Sequence, residues 1–134
     1  MGGGAGGNGG NGGNGGGAIF LLAPTITFGA SGKVTANGLA GSNGVNGIAG
    51  GTGGSNPNPD GGNGGGGGAG SGGNAGTIVY VYNTLSPSNA DTTRSEVNGG
   101  VGGISGLKND LSTAGDTANN GVAGDTGLVV KVSV

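Results

Sequence analysis

The sequence predicts an all-β or irregular fold, a bundle of extended glycine-rich helices interleaved with short β-strands and with essentially no α-helix. Three observations predict it. Glycine supplies 42 of the 134 residues, several times its usual share. Those glycines recur at every third position along four stretches of the chain. Short segments rich in β-branched and aromatic residues, which favour strands, follow the tracts.

The period of three decides the reading. It is neither the 3.6 of an α-helix nor the 2 of a strand, and it matches a left-handed extended helix with three residues per turn. Such a helix makes no internal hydrogen bonds, so its N–H and C=O groups project sideways and need partners on neighbouring chains. A face made only of glycine has no Cβ, so another backbone can come close. The expected architecture is therefore a bundle of polyglycine-II helices, laced together by backbone hydrogen bonds and weaker Cα–H···O contacts. Glycine number alone would fit a flexible linker; the regular columns argue for order. A collagen triple helix needs proline within the repeat, whereas Pro24, Pro57, Pro59 and Pro87 all lie outside the tracts.

The elements follow in order along one domain, residues 1–134. The first tract, 2–17, carries two pure glycine columns, Gly3 to Gly15 and Gly4 to Gly16, and a third column containing Asn8, Asn11 and Asn14. Strands are expected within 18–28, which opens Ala18-Ile19-Phe20-Leu21-Leu22, and within 33–36, after a turn around Gly29-Ala30-Ser31-Gly32. The second tract, 38–54, holds the column Gly38, Gly41, Gly44, Gly47, Gly50, Gly53. Leu39, Val45 and Ile48 share another of its columns and Asn43 and Asn46 the third, so one face should look inward and one outward.

The turn formers Ser55-Asn56-Pro57-Asn58-Pro59-Asp60 then reverse the chain. The third tract, 61–76, should lie antiparallel to the second. Each of these three tracts would span roughly 50 Å at about 3.1 Å per residue. A strand is expected at 77–82, and residues 83–97, polar and without the period, read as a surface loop. A weaker tract, 98–127, runs through Gly100, Gly103 and Gly106 to Gly121, Gly124 and Gly127, broken at Ala118, with one helical turn expected at 107–111. The last strand is 128–134. The chain is thus a degenerate repeat, a glycine tract and then a strand, run three times.

Composition excludes several functions. Only 3% of residues are aromatic and 7% charged, too little for a conventional core or a charged binding surface. Lys33, Arg94, Lys108 and Lys131 are scattered and the net charge is −2, which argues against nucleic acid as a partner. The longest apolar run, Ala18 to Pro24, is far short of a membrane span. Met1 leads directly into glycine with no signal peptide, so an extracellular location would need another route of export, release by lysis, or a longer precursor.

No catalytic or metal site is expected. The chain has neither His nor Cys, which removes the usual nucleophile–base pairs and zinc sites. Asp60, Asp91, Glu96, Asp110, Asp116 and Asp125 are dispersed and read as solvated surface. No Gly-Lys-Ser/Thr phosphate loop occurs, only Asp60-Gly61-Gly62-Asn63-Gly64 approaches a calcium-binding glycine repeat, and there is no glycosylation sequon. No cofactor is implied. The Asn8, Asn11 and Asn14 column reads as a side-chain ladder or solvated face, and Tyr80 and Tyr82 as packing residues on one side of their strand.

With the repeats in view, the Gly-Gly-Asn pattern and Asn37-Gly38-Leu39-Ala40-Gly41-Ser42-Asn43-Gly44-Val45-Asn46-Gly47 resemble polyglycine-II bundle proteins. That group includes the snow flea antifreeze protein and the adhesins at the tips of some phage long tail fibres. Gly15-Gly16-Gly17-Ala18-Ile19-Phe20-Leu21-Leu22-Ala23 with Lys33-Val34-Thr35-Ala36-Asn37-Gly38 also resembles glycine-rich surface and fibre proteins of bacteria and phages. Unlike the antifreeze protein, this chain has no Cys and carries strands.

These observations lead to the expectation of a non-enzymatic structural subunit. It would self-assemble into an extracellular or virion-associated fibre, with itself as partner. Its strand residues Ile19, Leu21, Val79, Val81, Leu128, Val130 and Val132 would form the joints, the C-terminal strand adding to a neighbour's sheet edge. The alternative is a receptor-binding adhesin at a tail-fibre tip, with cell-surface glycan as partner. A third, more distant reading is antifreeze activity on a flat face of small residues.

Overall fold

The computed structural model describes residues 3–51, 61–108 and 118–134. The fold is all-β or irregular, with short strands, extended glycine tracts and, among the described residues, one four-residue helix. The strands are β1 (Ala18–Leu22), β2 (Thr25–Thr27), β3 (Val34–Thr35), β4 (Thr77–Tyr82), β5 (Thr84–Ser86), β6 (Ser95–Glu96) and β7 (Leu128–Ser133), and the helix is α1 (Ala90–Thr93).

The glycine tracts bond sideways, at every third residue. Gly4, Gly7, Gly10, Gly13 and Gly16 of the first tract donate to the carbonyls of Gly62, Gly65, Gly68, Ser71 and Asn74 of the third, a parallel pairing with N···O distances of 2.7–2.8 Å. The second tract runs the other way: Leu39, Ser42, Val45 and Ile48 donate to Asn14, Asn11, Asn8 and Ala5. Gly64, Gly67, Gly70 and Gly73 donate to Ile48, Val45, Ser42 and Leu39, so the second and third tracts are antiparallel. Residues 55–60, where the sequence places the intervening turn, lie outside the described residues, as does most of the helical turn expected at 107–111.

The stretch 98–127 is not one tract. Gly121, Gly124 and Gly127 donate to Gly103, Gly100 and Val97, so its two ends run antiparallel to each other. The glycine column lapses between them, with Asn109, Ser112 and Ala118 in glycine's place. Among the described residues the result is five tracts in two layers. The first, third and fifth tracts run parallel in one layer; the second and fourth run parallel to each other and opposite to the first layer. The third sits at the centre, bonded to all four others.

Close approach dictates which columns face inward. A Cβ on Gly47 or Gly67 would sit within 3.0 Å of the backbone of Gly64 or Asn8 respectively, closer than any real Cβ contact. The interior admits only glycine. The apolar column of the second tract is accordingly expelled: Leu39, Val45 and Ile48 are all exposed. Neither of the two columns that the sequence set against each other faces inward; the glycine column does.

The tract layer continues directly into sheet. The first, third and fifth tracts feed β1, β4 and β7, which form a parallel three-stranded sheet in the order β1-β4-β7. Its register is Ala18↔Thr77↔Leu128 through Leu22↔Val81↔Val132. Pro24, which has no N–H to donate, separates β1 from β2, the two strands within 18–28. β2 pairs in parallel with β5, and β3 with β6. Residues 18–35 therefore run beside 77–96, and each segment leads onward into a return tract.

This arrangement gives the repeat a larger unit than the sequence suggests: outgoing tract, strands, returning tract. Two such units lie side by side, and the fifth tract with β7 begins a third. It also corrects the reading of 83–97 as a surface loop. Those residues form β5, α1 and β6 and bury Leu85 and Ala90. Their polar sequence hid this, because the strands are only two and three residues long and exist through pairing with β2 and β3.

The small core lies beneath one face of the three-stranded sheet. Ile78 and Tyr80 are fully buried, with Ala36 nearly so, and Ile19, Leu21, Ile26, Phe28, Val34, Tyr82, Val97 and Val129 pack around them. Phe28 meets Tyr80 edge-on, with ring centroids 5.9 Å apart. Ser95 Oγ donates to the Ala90 carbonyl at 2.8 Å and accepts from the Tyr80 hydroxyl at 2.7 Å. The buried phenol is thereby satisfied.

Candidate assembly surface

Strand alternation places the expected joint residues on two opposite faces. Ile19 and Leu21 share the face of Ile78 and Tyr80 and are half-buried against the core. Val79, Val81, Leu128, Val130 and Val132 lie on the other face, together with Phe20 and Leu22. The sequence reading omitted Phe20 and Leu22. The signal that could have found them is parity: they stand one residue out of step with Ile19 and Leu21, and β1 aligns Ala18 with Thr77.

The outer face is apolar and open. Phe20 is 72% exposed, Leu22 79%, Leu128 59% and Val132 42%. The register sets Phe20, Val79 and Val130 in one row and Leu22, Val81 and Val132 in the next. Lys131, the only charged residue of the sheet, alternates to the opposite face. There its ammonium donates to Asp91 Oδ1 at 2.9 Å and to the Ser88 carbonyl at 3.3 Å.

The bonded ammonium holds the Asp91 carboxyl below its ordinary value, and Asp91 in turn raises Lys131. Glu96 is likewise lowered, first by its hydrogen bond from the Lys33 ammonium. These pairs tie the 83–97 segment to β7 and to Lys33, the residue before β3. Arg94 Nη1 donates to the Ala30 carbonyl at 2.6 Å. Among the described residues no group of three or more His, Cys, Asp or Glu side chains could hold a metal ion. No described helix is long and apolar enough to cross a membrane.

Asparagine does form ladders, though not in the column singled out from sequence. Asn37, just before the second tract, and Asn43 and Asn46 within it accept, through Oδ1, the amides of Asn98, Ile104 and Leu107 in the fourth, each at 2.8 Å. Asn74 does the same for Asp125 at 2.9 Å, and Asn120 for Ser105 at 2.9 Å. The asparagine returns a hydrogen bond that a glycine in its place could not supply. Asn8, Asn11 and Asn14 are exposed; their main-chain carbonyls carry the bonds to the second tract.

The chain matches no protein-family model, and neither the curated proteins nor the solved structures contain a significant match.

Proposed function

We propose that this chain is a structural subunit, not an enzyme, that self-assembles into an extracellular or virion-associated fibre. Its tracts are polyglycine-II helices that make the shaft, and its strands make the joints. Three features support the helix assignment: the period of three, lateral hydrogen bonding between tracts, and the absence of any positive-φ glycine among the described residues.

The observation that carries the assembly reading is the outer face of the β1-β4-β7 sheet. Phe20, Leu22, Val79, Val81, Leu128, Val130 and Val132 form one uncharged apolar surface on the outer face of the sheet. Monomeric proteins rarely leave such a patch uncovered. Burying Phe20 or Leu22 would contribute about 1.5–3 kcal/mol each. Negative-stain electron microscopy and sedimentation of the purified protein over a concentration series test the proposal. Filaments are the expected result; monomers at every concentration would overturn it, and monomers that bound whole bacteria would favour the adhesin.

A further inference from the structure

The two lateral edges of the first layer are complementary to each other. In the third tract, Ala69, Gly72 and Ala75 donate outward to Asn119, Val122 and Asp125 of the fifth, while the carbonyls of Gly68, Ser71 and Asn74 accept from the first. Extending the strand register Ala18↔Thr77↔Leu128 along the tracts identifies the equivalent groups at the edges. On the fifth tract they are the amides of Asn120, Ala123 and Thr126. On the first they are the carbonyls of Gly9, Gly12 and Gly15. None of these six groups has a hydrogen-bond partner among the described residues, and all six residues are exposed. One edge thus presents a row of donors, the other a row of acceptors, both repeating at about 9 Å for three residues of this helix.

We infer that a second copy of the chain docks edge to edge, its first tract and β1 laid parallel beside the fifth tract and β7 of the copy before it. This rests on the fibre reading and adds, beside the apolar face of the sheet, a second joint along its edges. Asn120, Ala123 and Thr126 donate to Gly9, Gly12 and Gly15 of the second copy. The register that joins β1 to β4 then joins β7 to the second copy's β1, with Val130 beside Phe20 and Val132 beside Leu22. Asn119 and Asp125 occupy the position from which Asn74 returns a hydrogen bond to the next tract. They are therefore placed to accept amides of the second copy in the same way.

Two features make a second copy the occupant, rather than another partner. Donor and acceptor rows lie on opposite edges of one chain, at the same level and with the same spacing. Tract and strand edges are also continuous on each side, so one translation satisfies both. Such an interface joins unlike surfaces, does not close on itself, and generates an open filament.

Proline supplies a test that removes only the donor. Its φ suits the three-residue helix and it lacks an N–H, and neither the Ala123 nor the Thr126 amide has a partner among the described residues. The double variant Ala123→Pro/Thr126→Pro is expected to keep the wild-type circular dichroism spectrum and thermal transition, yet to form no filaments at concentrations where wild type assembles. The chain has no cysteine, so register can be read separately. Leu22→Cys and Val132→Cys proteins, mixed, should cross-link to each other through a short bifunctional reagent, and neither should cross-link when alone. Normal filaments from the proline variant, or Leu22→Cys linking to itself, would overturn this joint while leaving the fibre reading intact. Wild type that never polymerises would remove both.

Discussion

Gly70 donates its amide hydrogen to the Ser42 carbonyl at 2.9 Å, from the middle of the central tract. Its own carbonyl receives the Gly103 amide at 2.9 Å. A Cβ on Gly70 would collide with the Asn11 backbone, whereas one on Gly68, two residues earlier, would meet nothing within 4 Å. Glycine is thus required at one column and incidental at another.

That contrast gives the first prediction. Gly70→Ala should destabilise the subunit by about 3 kcal/mol or more, since backbone on both sides must move. Gly68→Ala, at a φ that alanine can adopt, should be neutral or stabilising by about 0.4–1 kcal/mol through the unfolded state. Chemical denaturation of the two variants checks both; equal destabilisation would mean that the columns are not distinct.

The asparagine ladder predicts a local effect. In Asn43→Ala and Asn46→Ala the amides of Ile104 and Leu107 lose their side-chain acceptors. Each variant should cost about 0.5–1.5 kcal/mol. Amide exchange measured by NMR should quicken at Ile104 in the first variant and at Leu107 in the second, with Gly103 and Gly106, bonded by backbone, little changed.

In the core, Ile78→Ala should cost about 2–5 kcal/mol, because a fully buried side chain leaves a cavity. Tyr80→Phe removes one hydrogen bond to Ser95 and should cost about 1 kcal/mol. Thermal unfolding distinguishes the two, and a larger loss for Tyr80→Phe than for Ile78→Ala would contradict the packing described.

The ion pairs predict the pH dependence. Asp91 and Glu96 have folded-state values depressed by Lys131 and Lys33. The stability they contribute is therefore complete above the ordinary carboxylate range, near pH 4–5, and lost as pH falls through their lowered values. Lys131 is raised, so its share is present below the ordinary lysine value and lost as pH rises beyond it. Asp91→Asn should flatten both limbs; an unchanged acid limb in that variant would show that the pair is not the cause.

Solubility should separate the two faces of the sheet. Phe20→Lys and Leu22→Lys place charge on exposed positions and should change subunit stability by no more than about 0.5 kcal/mol. They should nevertheless abolish filaments, as seen by light scattering. Ile19→Lys, directed into the core, should instead unfold the subunit.

The sequence by itself determined the period, and with it the kind of contact that holds the chain together. Columns such as Gly38 to Gly50 can serve only a backbone that another backbone touches, and segments such as Thr77 to Tyr82 are strands by composition. Only the tertiary structure decided direction and facing. A segment with a period of three has no intrinsic inside, so the expulsion of Leu39, Val45 and Ile48 follows from the spacing between tracts, which leaves no room for a Cβ. The reversal within 98–127, the strands hidden in 83–97, and the split of Ile19 and Leu21 from Val79 and Val81 arise in the same way. Each depends on a partner lying far along the chain, where no local pattern records it.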